Sequence, residues 1–476
     1  MANVLPGTEI VQYLAVFFGS LNVINSGMVY GWPSASLPQL VHPANSSAAI
    51  HLTTWEGSWL AIAPFFGALL TAPLSFSATG ILGPKKTVIF TFYPYIVSWL
   101  VIAVADSFEW LFFARLIAGI ADSCIFTAFP IYIDDICNTK FKRRFYSMYP
   151  ISFAAGILII NLIDNMSSVT NAAWIASVLI FSSFSGLLIV PESPYFLLMK
   201  NKLLEAKQAL RYTKNRDEVE EEYEKLREQV MSRGVSELNL EKIFSGPIRT
   251  NLGIGIVLVS AQQLCGITPI IFYITTVLKE TDLQFLFDSS LSIILLALLL
   301  AMSIFSALIS DAKSGKKFLL VSLLLCSVAL FTLGVYFDNV DFRNDFSIFS
   351  IIPIAALLVY IIFYGLGLHN IPYVYMNRMY SRNIKSKCLA LIYMYFSVIA
   401  SAVSAFFTLM NDSKEIYSAF YFFGGCCLFN FILVLVFVPK CKDWCEEAEW
   451  LLKSHENTEQ EYEFLLSSFD LSDFED

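Results

Sequence analysis

Apolar residues in this chain come in long blocks. Runs of about twenty mostly apolar residues recur from end to end, each long enough to cross a hydrocarbon core of about 30 Å as a helix. Six blocks precede a strongly charged middle, over 10–31, 55–77, 87–106, 109–131, 147–165 and 171–190. Six more follow it, over 251–278, 287–310, 317–337, 347–370, 387–410 and 416–438. The strict alternation that a barrel strand needs is absent, so helices are the spanning elements this pattern predicts.

The polar residues between the blocks test the count independently, because Lys and Arg collect on the cytoplasmic side of a membrane. With the charged middle placed inside, the other inside loops carry Lys85 and Lys86, then Lys140, Lys142, Arg143 and Arg144, then Lys313, Lys316 and Lys317, then Arg378, Arg382, Lys385 and Lys387. The outside loops carry only Lys279, Arg343 and Lys414. Every second loop is basic, which a miscount by one helix would destroy. Both termini are therefore expected in the cytoplasm, and the plasma membrane is the expected location. The long first outside loop holds Asn45-Ser46-Ser47, a glycosylation acceptor triplet centred on Asn45.

The pattern divides the chain into a six-helix bundle over 1–190, a cytoplasmic linker over 191–250, a second six-helix bundle over 251–438 and an acidic cytoplasmic tail over 439–476. The linker has helical spacing and charge pairs such as Glu221 with Lys225, so it should form short amphipathic helices. The N-terminus lacks a basic region and a small-residue cleavage site, and reads as the start of the first span rather than a signal peptide. Two bundles around a long linker is the layout of a rocking transporter with its binding site between the halves.

Composition agrees. Of 476 residues, 56% are hydrophobic and 15% charged, against about 25% charged in a soluble domain, and the mean hydropathy is +0.62. Much of the net charge of −9 sits in the tail, and no basic surface suggests nucleic acid. The partners expected are lipid and a small solute, with the oligomeric state open. Nine cysteines are scattered without metal-ligand spacing and read as small buried apolar residues. No metal or cofactor is expected. Without a nucleophile–base pair, neither is an enzyme.

Short motifs then carry a resemblance. In order along the chain stand Arg115-Leu-Ile-Ala-Gly119, "FPIYIDDI" at Phe129–Ile136 with Asp135 at an acid position, "PESPYFLL" from Pro191, "QQLCGITPIIFY" at Gln262–Tyr273, "DAKSGKK" at Asp311–Lys317, "GLHNIPYVY" and "VPK" at Val438–Lys440. Together they resemble the motif series of the sugar porter family of the major facilitator superfamily, in a style similar to its insect facilitated trehalose and glucose transporters. The resemblance covers nearly the whole chain. It implies an all-α membrane protein of twelve transmembrane helices in two six-helix bundles with a cytoplasmic helical linker. It also implies facilitated transport of a hexose or trehalose-like disaccharide. The chain departs from the family pattern as well. The first-half loop reads Gly80-Ile-Leu-Gly-Pro-Lys85 without acid or arginine, and Tyr195 stands for the arginine after PESP. Pro150 stands for a sugar-contacting glutamine, Thr268 for an asparagine, Tyr373 for a tryptophan and Arg378 for a glutamate.

A sugar offers hydroxyls that both donate and accept around a ring with apolar faces, which amides and aromatic rings match. Gln262 and Gln263 are costly in an apolar helix unless satisfied, and Gln262, Gly266, Pro269 and Tyr273 share one face at helical spacing. The plainer role for the glutamines is to glue two helices together. Thr268, Tyr373 and Asn22 complete the candidate binding set. For gating by ion pairs between the halves, the resemblance implies Arg115, Asp135, Lys142, Glu192, Asp311, Lys316 and Arg378. Asp122, deep in the fourth block, is expected to hydrogen-bond to a neighbouring helix. With only Asn22 and Asn25 where proton-driven sugar porters carry an acid on the first helix, uniport is expected. Two other readings stay open: a transport-deficient sugar sensor, and a transporter of another small polar solute.

Overall fold

The computed structural model describes residues 9–41, 50–214, 219–231, 246–279, 284–309, 315–339 and 351–439. Asn45, Asp311 and the acidic tail lie outside these. Among the described residues, twelve helices are long and apolar enough to cross a membrane. Large apolar side chains such as Leu70, Val178 and Leu308 stand exposed on their outer surface, as lipid-facing residues should.

The first half contains α1 (Glu9–Val41), α2 (Thr54–Leu82), α3 (Pro84–Phe90), α4 (Phe92–Val104), α5 (Phe108–Ile136), α6 (Thr139–Met166) and α7 (Val169–Ile189). Three short helices of the linker follow: α8 (Pro194–Met199), α9 (Leu203–Thr213) and α10 (Val219–Met231). They bury their own small core around Leu198, Leu210, Tyr223 and Leu226. The second half contains α11 (Gly246–Gln263), α12 (Ile267–Phe272), α13 (Ile274–Lys279), α14 (Gln284–Ile309) and α15 (Gly315–Asp338). It continues with α16 (Ile351–Phe363), a π-turn at Tyr364–Leu368, α17 (Ile371–Met379), α18 (Arg382–Asp412) and α19 (Ile416–Phe437).

In lipid, small residues let helix backbones touch. A Cβ on Gly27 would lie 2.1 Å from Phe153 O, and one on Gly67 2.0 Å from Leu116 O. These two glycines set the close crossings of α1 with α6 and of α2 with α5. The halves meet where α2 packs on α18, α6 on α14 and α1 on α12 and α13.

The first span runs ten residues past the expected end, through Pro33 and Pro38. Proline strips the carbonyl four residues earlier of its helical donor, and neighbours must supply one. Pro33 frees Val29 O, which accepts from Arg115 Nη1 at 2.5 Å. Pro64 of α2 frees Leu60 O, which accepts from Arg115 Nε at 3.3 Å. Pro38 frees Ser34 O, which accepts from Thr275 Oγ1 of the other half at 2.9 Å. These three prolines thus act as joints between helices.

The third span (expected 87–106) is interrupted at Thr91 between α3 and α4, and two more spans expected as continuous are broken. The seventh (expected 251–278) divides at Gly266, whose φ is +80°. The tenth (expected 347–370) carries the π-turn and continues to Met379. Both breaks face the interior between the halves, where irregular backbone is tolerated in a membrane protein.

Candidate functional site

A cavity lies between the halves at these two breaks. Its volume is about 90 Å3. Nine aromatic side chains line it, so most of the wall offers ring faces rather than hydrogen bonds. Tyr149 of the first half stacks on Tyr373 of the second at 4.4 Å and 14°. Phe126 stacks on Tyr393 at 4.5 Å, and the Tyr30 and Tyr393 hydroxyls are 3.3 Å apart.

The polar lining is sparse and comes chiefly from the broken spans. Gln262 and Gln263 occupy the last turn of α11, and Thr268 the first turn of α12. Thr268 Oγ1 donates to Gln263 Oε1 at 2.6 Å across the Gly266 break. Gln262, Gln263, Thr268, Tyr373 and Pro150 all line the cavity.

Tyr273 and Asn22 are not among its lining residues. Turning the chain at Gly266 ends the helical register that would have kept Tyr273 on the face of Gln262. Its ring stacks instead on Phe407 at 5.7 Å, and its hydroxyl accepts from Thr408 Oγ1 at 3.2 Å. Asn22 Oδ1 accepts from Ser183 Oγ of α7 at 3.3 Å, inside the first half. His369, Tyr30 and Tyr393 line the cavity without having been singled out from the sequence. For His369 a signal existed, since an ionisable residue inside an apolar span suggests function by default.

Nearer the linker, charged groups join the halves. Asp135 at the end of α5 accepts from Arg382 Nε at 2.6 Å and from Ser193 Oγ. Arg382 Nη2 donates to Asp134 O at 3.3 Å, and its guanidinium lies 4.2 Å from the centroid of the Tyr195 ring. Asp134 accepts from Lys385 Nζ at 2.6 Å and from Tyr146 Oη, with Lys142 Nζ 3.9 Å away. Asp135 is thus held by Arg382, expected in a basic loop but standing as the first residue of α18; Arg378 is half-buried in the last turn of α17. Glu192 Oε1, between α7 and α8, accepts from the backbone N–H groups of Lys85 and Ser193. Burial pushes its carboxyl above the ordinary value of 4.5, against those bonds. Lys316 Nζ donates to Leu435 O at 2.9 Å at the surface.

Arg115 is fully buried and serves the first half internally, with its guanidinium 5.0 Å from the Trp32 ring centroid in addition to its two carbonyls. Asp122 Oδ1 accepts from Tyr95 Oη of α4 at 2.7 Å. No cluster of potential metal ligands occurs among the described residues.

The sequence profile of the sugar (and other) transporter family matches residues 14–448. The facilitated trehalose transporter Tret1 of Bombyx mori is 25% identical over 451 residues, covering 93% of this chain and 87% of that one. Its counterpart in Polypedilum vanderplanki is 28% identical, covering 91% and 85%. The fold is similar to that of the E. coli proton:xylose symporter XylE bound to 6-bromo-6-deoxy-D-glucose. That match has a TM-score of 0.73 at 16% identity and covers 91% of this chain and 98% of that one. With twelve spans in two halves around a central cavity, and a family match over most of its length, the chain belongs to the sugar (and other) transporter family.

Proposed function

We propose that this protein carries a sugar, a hexose or a trehalose-like disaccharide, down its gradient by alternating access. The observation that carries the reading is the paired amides of Gln262 and Gln263 at a helix break, set among aromatic ring faces. The amides can serve hydroxyls as donor and acceptor, and the rings can cover the apolar faces of a pyranose. In this reading the linker side faces the cytoplasm of a plasma-membrane protein glycosylated at Asn45. The Asp134–Lys385 and Asp135–Arg382 pairs close the inner end, and the Thr275 contact to Ser34 O helps to close the outer one.

The test is uptake of labelled D-glucose and trehalose into proteoliposomes. Saturable uptake of either, inhibited by the unlabelled sugar, is expected. Binding without flux would point to a sensor, and neither binding nor flux to a different solute.

A further inference from the structure

His369 stands where the π-turn ends. Its backbone N–H bonds to Tyr364 O, five residues back, at 2.9 Å, and the extra residue in that turn rotates the following side chain relative to a regular helix. The imidazole of the buried His369 lines the cavity, and its Nε2 lies 2.8 Å from Pro150 O on the opposite half. A carbonyl only accepts, so Nε2 carries the hydrogen and donates. In the neutral ring Nδ1 is then an acceptor. This hydrogen bond joins the halves within the cavity itself, apart from the ion pairs on the linker side.

We propose that His369 is a substrate-binding and specificity-determining residue, and that a sugar hydroxyl inserts between His369 Nε2–H and Pro150 O. A hydroxyl can accept from the imidazole and donate to the carbonyl at once, so both partners stay satisfied as the halves part. A solute lacking a hydroxyl at that place leaves the buried imidazole N–H unpaired as the halves part, which a site built for hydrogen bonding rejects strongly. The lined positions add a geometric reason for the pairing. Pro150 has no hydrogen-bonding side chain, so at that place the first-half wall offers only a backbone carbonyl of α6 as acceptor, and the donor comes from the second half. His369 supplies it.

This inference rests on sugar being the solute. The experiment uses the full-length protein in proteoliposomes and whichever of D-glucose and trehalose the wild type carries, with the monodeoxy analogues of that sugar as competitors. The wild type should discriminate against one monodeoxy analogue by about tenfold or more in apparent affinity. His369→Phe, which keeps the ring but removes both nitrogens, should abolish that discrimination and weaken the parent sugar by a similar factor. His369→Gln, which keeps a donor and an acceptor, should restore much of both. Thermal unfolding in detergent would confirm that each variant is folded. Loss of the parent sugar's protective shift in melting temperature in His369→Phe, and its return in His369→Gln, gives a second readout. A His369→Phe protein with undiminished affinity and the same deoxy profile would overturn the assignment while leaving sugar transport standing. Failure of the wild type to carry either sugar would overturn both.

Discussion

Removing the Arg382 side chain should open the linker side. In the wild type this guanidinium donates to Asp135, which is 2% exposed, and to Asp134 O, while covering the Tyr195 ring; Arg382 itself is 22% exposed. In Arg382→Ala, Asp135 would remain buried with the Ser193 hydroxyl still donating to it and its contacting counter-charge gone. Removing one member of a buried pair costs about 3–5 kcal/mol. Because Arg382 keeps some access to solvent, the lower end, about 3 kcal/mol, is the better figure. That cost falls only on the form closed at the linker side, since separating the halves already breaks these contacts. At about 1.4 kcal/mol per factor of ten, the balance shifts toward opening about a hundredfold. A cysteine replacing Met376, which lines the cavity, would report the shift as faster labelling by a polar thiol reagent supplied from the linker side. Lys142→Ala is the control. Lys142 Nζ lies 3.9 Å from Asp134 Oδ1 and is 28% exposed, so its loss should change the rate less than about fivefold. Labelling unchanged in a folded Arg382→Ala protein would refute the assignment of these contacts as a latch.

Gln262→Ala should raise the apparent KM for sugar by roughly tenfold to a hundredfold, with normal surface expression; an unchanged KM would remove Gln262 from the binding set. Gly266→Ala should lower the melting temperature, because φ of +80° disfavours an L side chain and the new Cβ would lie 2.4 Å from the Phe423 ring; equal melting curves would show that the seventh span does not need this break. Burial raises the folded-state pKa of Glu192 above its ordinary value, so ionisation near neutral pH costs stability, and that cost is relieved as pH falls through the folded value. Wild type should therefore gain stability relative to Glu192→Gln on acidification, and parallel pH profiles would contradict this. Finally, an imposed proton gradient should not drive uphill accumulation; accumulation abolished by Asp122→Asn would make Asp122 a proton site instead.

The spans were legible because burial in lipid and the sign of the loops both leave marks in composition. Contacts between halves were not. Arg382 and Lys385 counted correctly as basic residues near a membrane surface, yet α18 begins at Arg382 and Lys385 is only 1% exposed. Charge alone does not distinguish a solvated lysine from one buried against Asp134. Gln262 and Gln263 were readable because an amide in an apolar run is costly. Tyr273 was misplaced for a different reason: helical periodicity assumes a continuous helix, and the positive φ at Gly266 ends it. His369 stood out only as an ionisable residue in an apolar span; its place on the cavity wall depended on a π-turn, whose extra residue has no counterpart in the hydrophobic pattern.

Arg115 has a mechanical consequence. It satisfies two carbonyls that their own helices cannot reclaim, because Pro33 and Pro64 offer no N–H in exchange. Sliding α1 or α2 away from α5 would strand those carbonyls in a dry interior with nothing to compensate. The three helices are thus pinned at one point and should swing as a single lever. On α5 that lever bears Arg115 at the pin, Phe126 at the cavity wall and Asp134 and Asp135 at the linker end. At about 1.5 Å per residue, some 12 Å of helix separates the wall from the acids, with Pro130 between them stripping Phe126 O of its helical donor. A solute that pushes on the wall therefore acts on the same helix that carries the acid pairs, with Pro130 as the place where that helix can bend. In the second half, Gly266 and the π-turn are further places where a span can bend.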